Sequence, residues 1–127
     1  MHTPRKPALI LFAHGARDPE WARPIRRVRD SVLASTPEAC VEVAFLEFME
    51  PDLAAAAKAL VAEGVDAITV VPLFIAAGGH LKKELPVMLD ELRQCYPGVD
   101  FTLTSPVGES DAVIAAMACE AKRSAGL

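Results

Sequence analysis

Two histidines stand at matching places in the chain, each after an apolar run. His14 follows residues 8–13, and His80 follows residues 68–75 with Gly78 and Gly79 directly before it. Runs rich in branched residues and closed by turn residues predict buried parallel strands. Ligands of open α/β sheets bind at the carboxyl ends of such strands. Since an unperturbed imidazole has a pKa of about 6.5, the pair could bind one metal ion or accept a proton there.

A carboxylate follows the next predicted strand. Glu47 comes directly after residues 40–46. If the first three strands are neighbours, Glu47 points at the same sheet edge as His14 and His80. A His/His/Glu set with open positions suits Fe, Co or Ni. Two alternatives stay open: Glu47 is a solvated loop acid, or Glu50 takes its place.

Several further charges lie close after the histidines. Arg17, Lys82 and Lys83 could hold the carboxylates or phosphates of an anionic substrate, or form ordinary solvated surface. Glu84 is four residues after His80 and would share its face on a helix. The helix dipole favours a simpler interpretation, in which Glu84 is an acid of the first helical turn.

The apolar pattern alternates between strand and helix along the whole chain. It predicts strands at 8–13, 40–46, 67–75 and 100–104 and helices at 20–34, 52–63, 87–95 and 111–122. In this prediction Pro86 separates a short turn from the third helix. The alternation indicates one α/β domain over residues 1–127, a four-stranded parallel sheet with helices on both faces. Because four strands are few for a doubly wound sheet, a second copy could complete the site.

Composition excludes several classes of protein. Hydrophobic residues make up 52% of the chain, which excludes disorder, and the net charge of -4 argues against nucleic-acid binding. No apolar run approaches the roughly 20 residues of a membrane span. The short basic segment 1–7 does not resemble a signal peptide, so we expect a cytoplasmic protein. The three cysteines have no metal-type spacing and are expected to be reduced thiols packed as small apolar residues: Cys40, Cys95 and Cys119.

Three segments together resemble the short form of the CbiX family, the class II tetrapyrrole chelatases that act on sirohydrochlorin. They are residues 11–18 (LFAHGARD), 44–47 (AFLE) and 70–86 (VVPLFIAAGGHLKKELP). The resemblance implies a flavodoxin-like, chelatase-like half-unit that acts as a homodimer. It also implies insertion of Co²⁺ or Fe²⁺ into the tetrapyrrole, in cobalamin or sirohaem biosynthesis, without an organic cofactor. The ligand set itself would also accept Ni²⁺ or Zn²⁺.

The resemblance also implies roles for individual residues. The two active-site histidines of the family correspond to His14 and His80, which would share metal binding and proton removal. The family's carboxylate corresponds to Glu47, at a position where members differ. Arg17, Lys82 or Lys83 would position the acidic rim of the tetrapyrrole.

Two other functions are compatible with the same residues. A His-Gly turn after the first strand is similar to that of histidine phosphatases, which would make the protein a hydrolase or transferase of a phosphorylated small molecule. Those enzymes have an arginine before the histidine, where this chain has Ala13. A metal or tetrapyrrole carrier without catalytic activity would need the same ligands as a chelatase.

Overall fold

A computed structural model describes residues 5–127 of the chain. The strands are β1 (Pro7–Ala13), β2 (Cys40–Phe45), β3 (Ala67–Pro72) and β4 (Asp100–Leu103). The α-helices are α1 (Arg23–Ser35), α2 (Leu53–Ala62), α3 (Gly79–Cys95) and α4 (Asp111–Ser124). Short 3-10 turns at Pro19–Ala22 and Val107–Glu109 precede α1 and α4. The prediction that segment 1–7 is not a signal peptide rests partly on residues 1–4, which lie outside the described residues.

The four strands form one sheet in the order β2-β1-β3-β4, and every pair is parallel. Phe12 near the end of β1 lies between Ala44 of β2 and Pro72 of β3. The predicted four-stranded parallel sheet is therefore confirmed, and the condition under which Glu47 shares an edge with the two histidines, adjacency of the first three strands, is met. Their carboxyl ends meet at one edge.

Helices cover both faces of this sheet. Ile10 and Phe12 point to the face covered by α2 and α3, where they belong to the larger buried cluster. Leu11 and Ala13 alternate to the opposite face, where Ile25 of α1 packs against them. The doubly wound arrangement expected from the alternating pattern is confirmed.

The prediction that Pro86 precedes the third helix is wrong. The α3 helix begins at Gly79 and contains Pro86, which is exposed and removes only the hydrogen bond to the Lys82 carbonyl. An interior proline destabilises a helix by about 3 kcal/mol, whereas each buried leucine stabilises the fold by about 2 kcal/mol. Several buried leucines therefore outweigh the proline. Both halves of α3 are anchored in the core by four buried leucines: Leu81, Leu85, Leu89 and Leu92.

The other differences lie at element ends. The predicted third strand extended to Ile75, but β3 ends at Pro72 because its pairing with β1 ends at Phe12. Leu73 still donates its N–H to the Phe12 carbonyl at 2.8 Å. The first helix was predicted from Glu20, but a 3-10 turn capped by the Asp18 side chain precedes α1.

The α4 helix is the least integrated element of the fold. It has no buried residue and packs mainly against the 3-10 turn before it.

The expectation that all three cysteines pack as apolar residues is wrong for two of them. Cys119 lies on α4 and Cys95 ends α3, and both are exposed, whereas Cys40 is half-buried. Across residues 5–127, no helix is long and apolar enough to cross a membrane.

Candidate functional site

Backbone hydrogen bonds join the loops after β1 and β2. Leu46 donates to the Ala13 carbonyl at 2.9 Å, and Glu47 donates to the His14 carbonyl at 3.1 Å. Gly15 follows with a φ of 86°, a left-handed conformation that glycine adopts at little cost. A methyl group at Gly15 would clash with the Glu47 carbonyl oxygen. The candidate base and the candidate carboxylate therefore share one tightly packed backbone junction.

The His14 side chain is exposed above the sheet edge. Its ring packs on that of Phe74, with centroids 4.5 Å apart and planes tilted by 37°. Phe74 is itself buried in the larger core cluster. This contact fixes one face of the imidazole and leaves the ring nitrogens accessible to a ligand.

His80 lies in the first turn of α3, and its side chain is 85% exposed. Its Nε2 is 3.0 Å from Oε1 of Glu84, one helical turn further on. The simpler interpretation of Glu84 as a dipole-stabilising acid is therefore incomplete, because its carboxylate pairs with the imidazole. Carboxylates that accept a hydrogen bond from a histidine fix its tautomer and orientation.

One open cavity of about 570 Å³ brings the predicted residues together. It is lined by His14, Leu46, Glu47, Gly78, His80, Leu81 and Glu84. Within residues 5–127, no three ligand-type side chains lie close enough together to hold an ion in this arrangement. The exposed imidazoles and carboxylates thus surround a space into which a bulky ligand could enter.

The remaining candidates lie outside that cavity. Glu50 and Arg17 line a separate cavity of about 240 Å³ beside the loop after β2. The guanidinium carbon of Arg17 lies 5.0 Å from the ring centroid of Phe48. Lys82 and Lys83 are exposed in the first turns of α3 and do not line the His14–His80 cavity.

Two side chains near the site were not singled out by the sequence. Phe48 is 57% exposed and Ile75 is 74% exposed, at the ends of the segments that carry Glu47 and Phe74. Ile75 ends the predicted third strand, where an apolar residue is expected to be buried, and Phe48 follows the predicted second strand in a loop where the pattern predicts neither burial nor exposure. Glu84 had a signal, its spacing of four residues from His80.

The cavity places two imidazoles and a carboxylate at one sheet edge, in a more open arrangement than that of a closed metal site. Neutral imidazoles and a carboxylate suit borderline divalent metals, and open positions let a second molecule supply the rest of the coordination. A family model described as CbiX matches residues 8–124. The chain belongs to the CbiX family.

Two curated relatives of similar length carry the same activity in their names. A sirohydrochlorin cobaltochelatase from Sulfurisphaera tokodaii is 34% identical over 112 residues, which cover 83% of this chain and 82% of that protein. One from Saccharolobus solfataricus is 35% identical over 106 residues, covering 79% and 81% of the two proteins.

Solved structures show the CbiX fold in a single unit and in a chain twice as long. A CbiX protein from Marinobacter aquaeolei VT8, named for cobalamin biosynthesis, superposes with a TM-score of 0.84 at 31% identity, covering 94% of this chain and 98% of that one. The sirohydrochlorin chelatase SirB from Bacillus subtilis subspecies spizizenii, solved with cobalt, gives a TM-score of 0.79 at 25% identity. That match covers 93% of this chain but only 50% of the SirB chain.

The two acids of the loop after β2 can be separated by experiment. We expect Glu47→Gln to weaken Co²⁺ binding and turnover by about tenfold, the loss of one charged ligand interaction. Glu50→Gln is the matched control, since it removes the same charge three residues away in the other cavity. For each variant, calorimetric titration measures the affinity for Co²⁺, and the rate of metallation measures turnover. If Glu50→Gln is the more damaged variant, the metal-binding carboxylate is Glu50 and the assignment to Glu47 is wrong.

Proposed function

We propose that this protein is a sirohydrochlorin chelatase that inserts a divalent metal ion, Co²⁺ or Fe²⁺, into the tetrapyrrole. The observation that carries the proposal is the cavity shared by His14, Glu47 and His80 at the carboxyl edge of a CbiX-type sheet. The names of the curated relatives and the cobalt bound to SirB support the same reaction.

In the proposed mechanism the ion is a substrate that the protein holds only briefly. His14, His80 and Glu47 would bind it by drawing together from their more open arrangement, with positions left open for the ring nitrogens. As the ion passes from the imidazoles to the ring nitrogens, two pyrrole N–H protons leave, and the freed imidazoles of His14 and His80 are suited to accept them. Glu84, whose Oε1 lies 3.0 Å from Nε2 of His80, would orient that imidazole.

A spectroscopic assay tests the proposal directly. Purified protein is mixed with sirohydrochlorin and Co²⁺ or Fe²⁺, and metallation is followed by absorbance against buffer alone. A chelatase accelerates metallation with catalytic turnover. A carrier without catalytic activity would bind the ion or the tetrapyrrole without any acceleration, and that result would overturn the proposal.

The phosphate-handling alternative receives less support from the charges at the site. The described residues that line the His14–His80 cavity include two acids, Glu47 and Glu84, and no lysine or arginine. Phosphate recognition usually places an arginine or lysine close to the anion, whereas among the described lining residues only the amides at the start of α3 could serve here. In the proposed function, Arg17, Lys82 and Lys83 instead contact carboxylates at the substrate rim, outside the metal-binding centre.

We also propose that two copies form a symmetric homodimer whose sites face a common cleft. SirB is about twice as long as this chain, which is the length two copies would supply. A second support is α4, where Ile114 and Met117 are 48% and 39% exposed on one side of a helix that buries nothing. A partner copy is the natural cover for that apolar side. A cytoplasmic location and the absence of nucleic-acid partners stay predictions.

The dimer has a simple test at α4. Light scattering at micromolar protein should give twice the 13.6 kDa chain mass. Ile114→Glu places a charge on the apolar side and should shift the protein toward the monomer. Ala115→Glu is the control, because helical spacing turns residue 115 to another side of the same helix. A fully active monomeric wild-type protein would contradict the dimer.

A further inference from the structure

Phe48 has an unusual backbone conformation at the edge of the candidate site. Its φ is 66°, and among residues 5–127 it is the one residue other than glycine with a positive φ. Bulky side chains rarely adopt this region, and where they do, the surrounding structure enforces it. Phe48 directly follows Glu47, so the enforced conformation lies next to a residue proposed to bind the ion.

The conformation exposes an aromatic ring although the other apolar residues of the same loop are half-buried. Leu46 and Met49 pack against the two core clusters on opposite faces of the sheet. Phe48 is left 57% exposed between them. The loop therefore packs the apolar side chains on both sides of Phe48 against the core while leaving this one ring largely in solvent.

A cation lies over the exposed ring. The guanidinium of Arg17 is 5.0 Å from the Phe48 centroid, within range of a cation–π contact. Packing on the ring limits the motion of the guanidinium and leaves its N–H groups free to bind a carboxylate in bidentate fashion. An apolar ring face and an oriented cation are thus presented together.

We infer that Phe48 and Arg17 form a substrate-positioning pair, in which the ring packs on the flat apolar macrocycle and the guanidinium binds a carboxylate of its rim. The inference rests on the proposed function. A macrocycle whose centre meets His14 and His80 must extend over the neighbouring loops. The Phe48–Arg17 pair spans two of these loops, with Arg17 after β1 and Phe48 after β2, and its charge complements the acidic rim.

Two substitutions separate the ring from the backbone conformation. Asparagine tolerates a positive φ, so Phe48→Asn removes the ring while keeping the loop foldable, and Phe48→Tyr retains the ring. Metal-free sirohydrochlorin is titrated into each dimeric variant and binding is followed by absorbance. Phe48→Asn should weaken binding about tenfold, the typical loss of one stacking contact, with an unchanged melting temperature. Phe48→Tyr should bind like wild type.

Further variants test Arg17 and the specificity of the effect. Arg17→Ala should weaken binding by a similar factor, and the double variant with Phe48→Asn should lose less than the product of the two, since the residues act as a unit. Val87→Ala is the control, because Val87 is an exposed apolar residue of similar exposure, 56%, on α3. It should bind like wild type.

Each contrary outcome is distinguishable. Wild-type protein that neither binds nor metallates sirohydrochlorin would overturn the proposed function. Active wild-type protein with equal binding by Phe48→Asn would overturn the positioning pair alone. A weakened Phe48→Asn that also becomes monomeric in light scattering would make Phe48 a contact between copies, and this too would overturn the inference.

Discussion

Replacing either histidine by alanine should lower the rate of metal insertion by on the order of 100-fold, the contribution typical of one positioned acid–base group. Folding should be nearly unaffected, because the His80 side chain is 85% exposed and exposed positions change stability by about 0.5 kcal/mol or less. His14→Ala additionally loses the ring contact with Phe74, worth about 1 kcal/mol. Metallation rates and thermal melts of both variants are measured side by side.

The double variant makes this test sharper. If His14 and His80 act on the same ion and proton, removing both should cost far less than the product of the single effects. Multiplicative losses would indicate two independent roles. If a single variant keeps full activity or fails to fold, the histidine that it replaces has no demonstrated part in metal insertion, and its assignment is wrong.

Gly15→Ala should impair both the fold and the activity. A left-handed conformation costs a non-glycine residue about 1–2 kcal/mol, and the added methyl group clashes with the Glu47 carbonyl oxygen. Because that carbonyl belongs to the junction joining His14 and Glu47, relief of the clash must displace one of them. We expect a melting temperature lower by roughly 5 °C and a rate lower by at least about tenfold.

Gly64 supplies a matched control for the same substitution. Its φ is also 86°, but no atom lies within 4 Å of the position a methyl group would take. Gly64→Ala should therefore lose stability through the backbone alone and keep its activity once folded. Equal activity losses in the two variants would show that the junction at Gly15 has no special part in the site.

The sequence was sufficient for the sheet because its signals were strong and local. Strand-like apolar runs separated by helical patterns predicted a parallel sheet without its strand order. The positions of His14, Glu47 and His80 after three of these runs predicted a common edge if those strands were neighbours. The structure brings all three to one cavity. Their roles in catalysis remain predictions that the variants above address.

What the sequence could not predict depends on tertiary context. Pro86 is a strong local stop signal, but the buried leucines on both sides of it keep α3 continuous. The positive φ of Phe48 has no sequence signature, since a bulky aromatic residue is a poor candidate for that region. The weak attachment of α4 also gave no signal, because its alanine-rich pattern resembles that of a packed helix.

The sheet order has a consequence for how metal affinity and folding are linked. His14, Glu47 and His80 come from the ends of three adjacent strands that are distant in the chain. No local segment contains the site, so it exists only after two long-range crossovers have closed. An ion that binds only the assembled site stabilises the whole domain by mass action. If cobalt binds there as proposed, it would stabilise the folded domain. The midpoint of thermal unfolding would then rise with cobalt concentration and report the occupancy of the site.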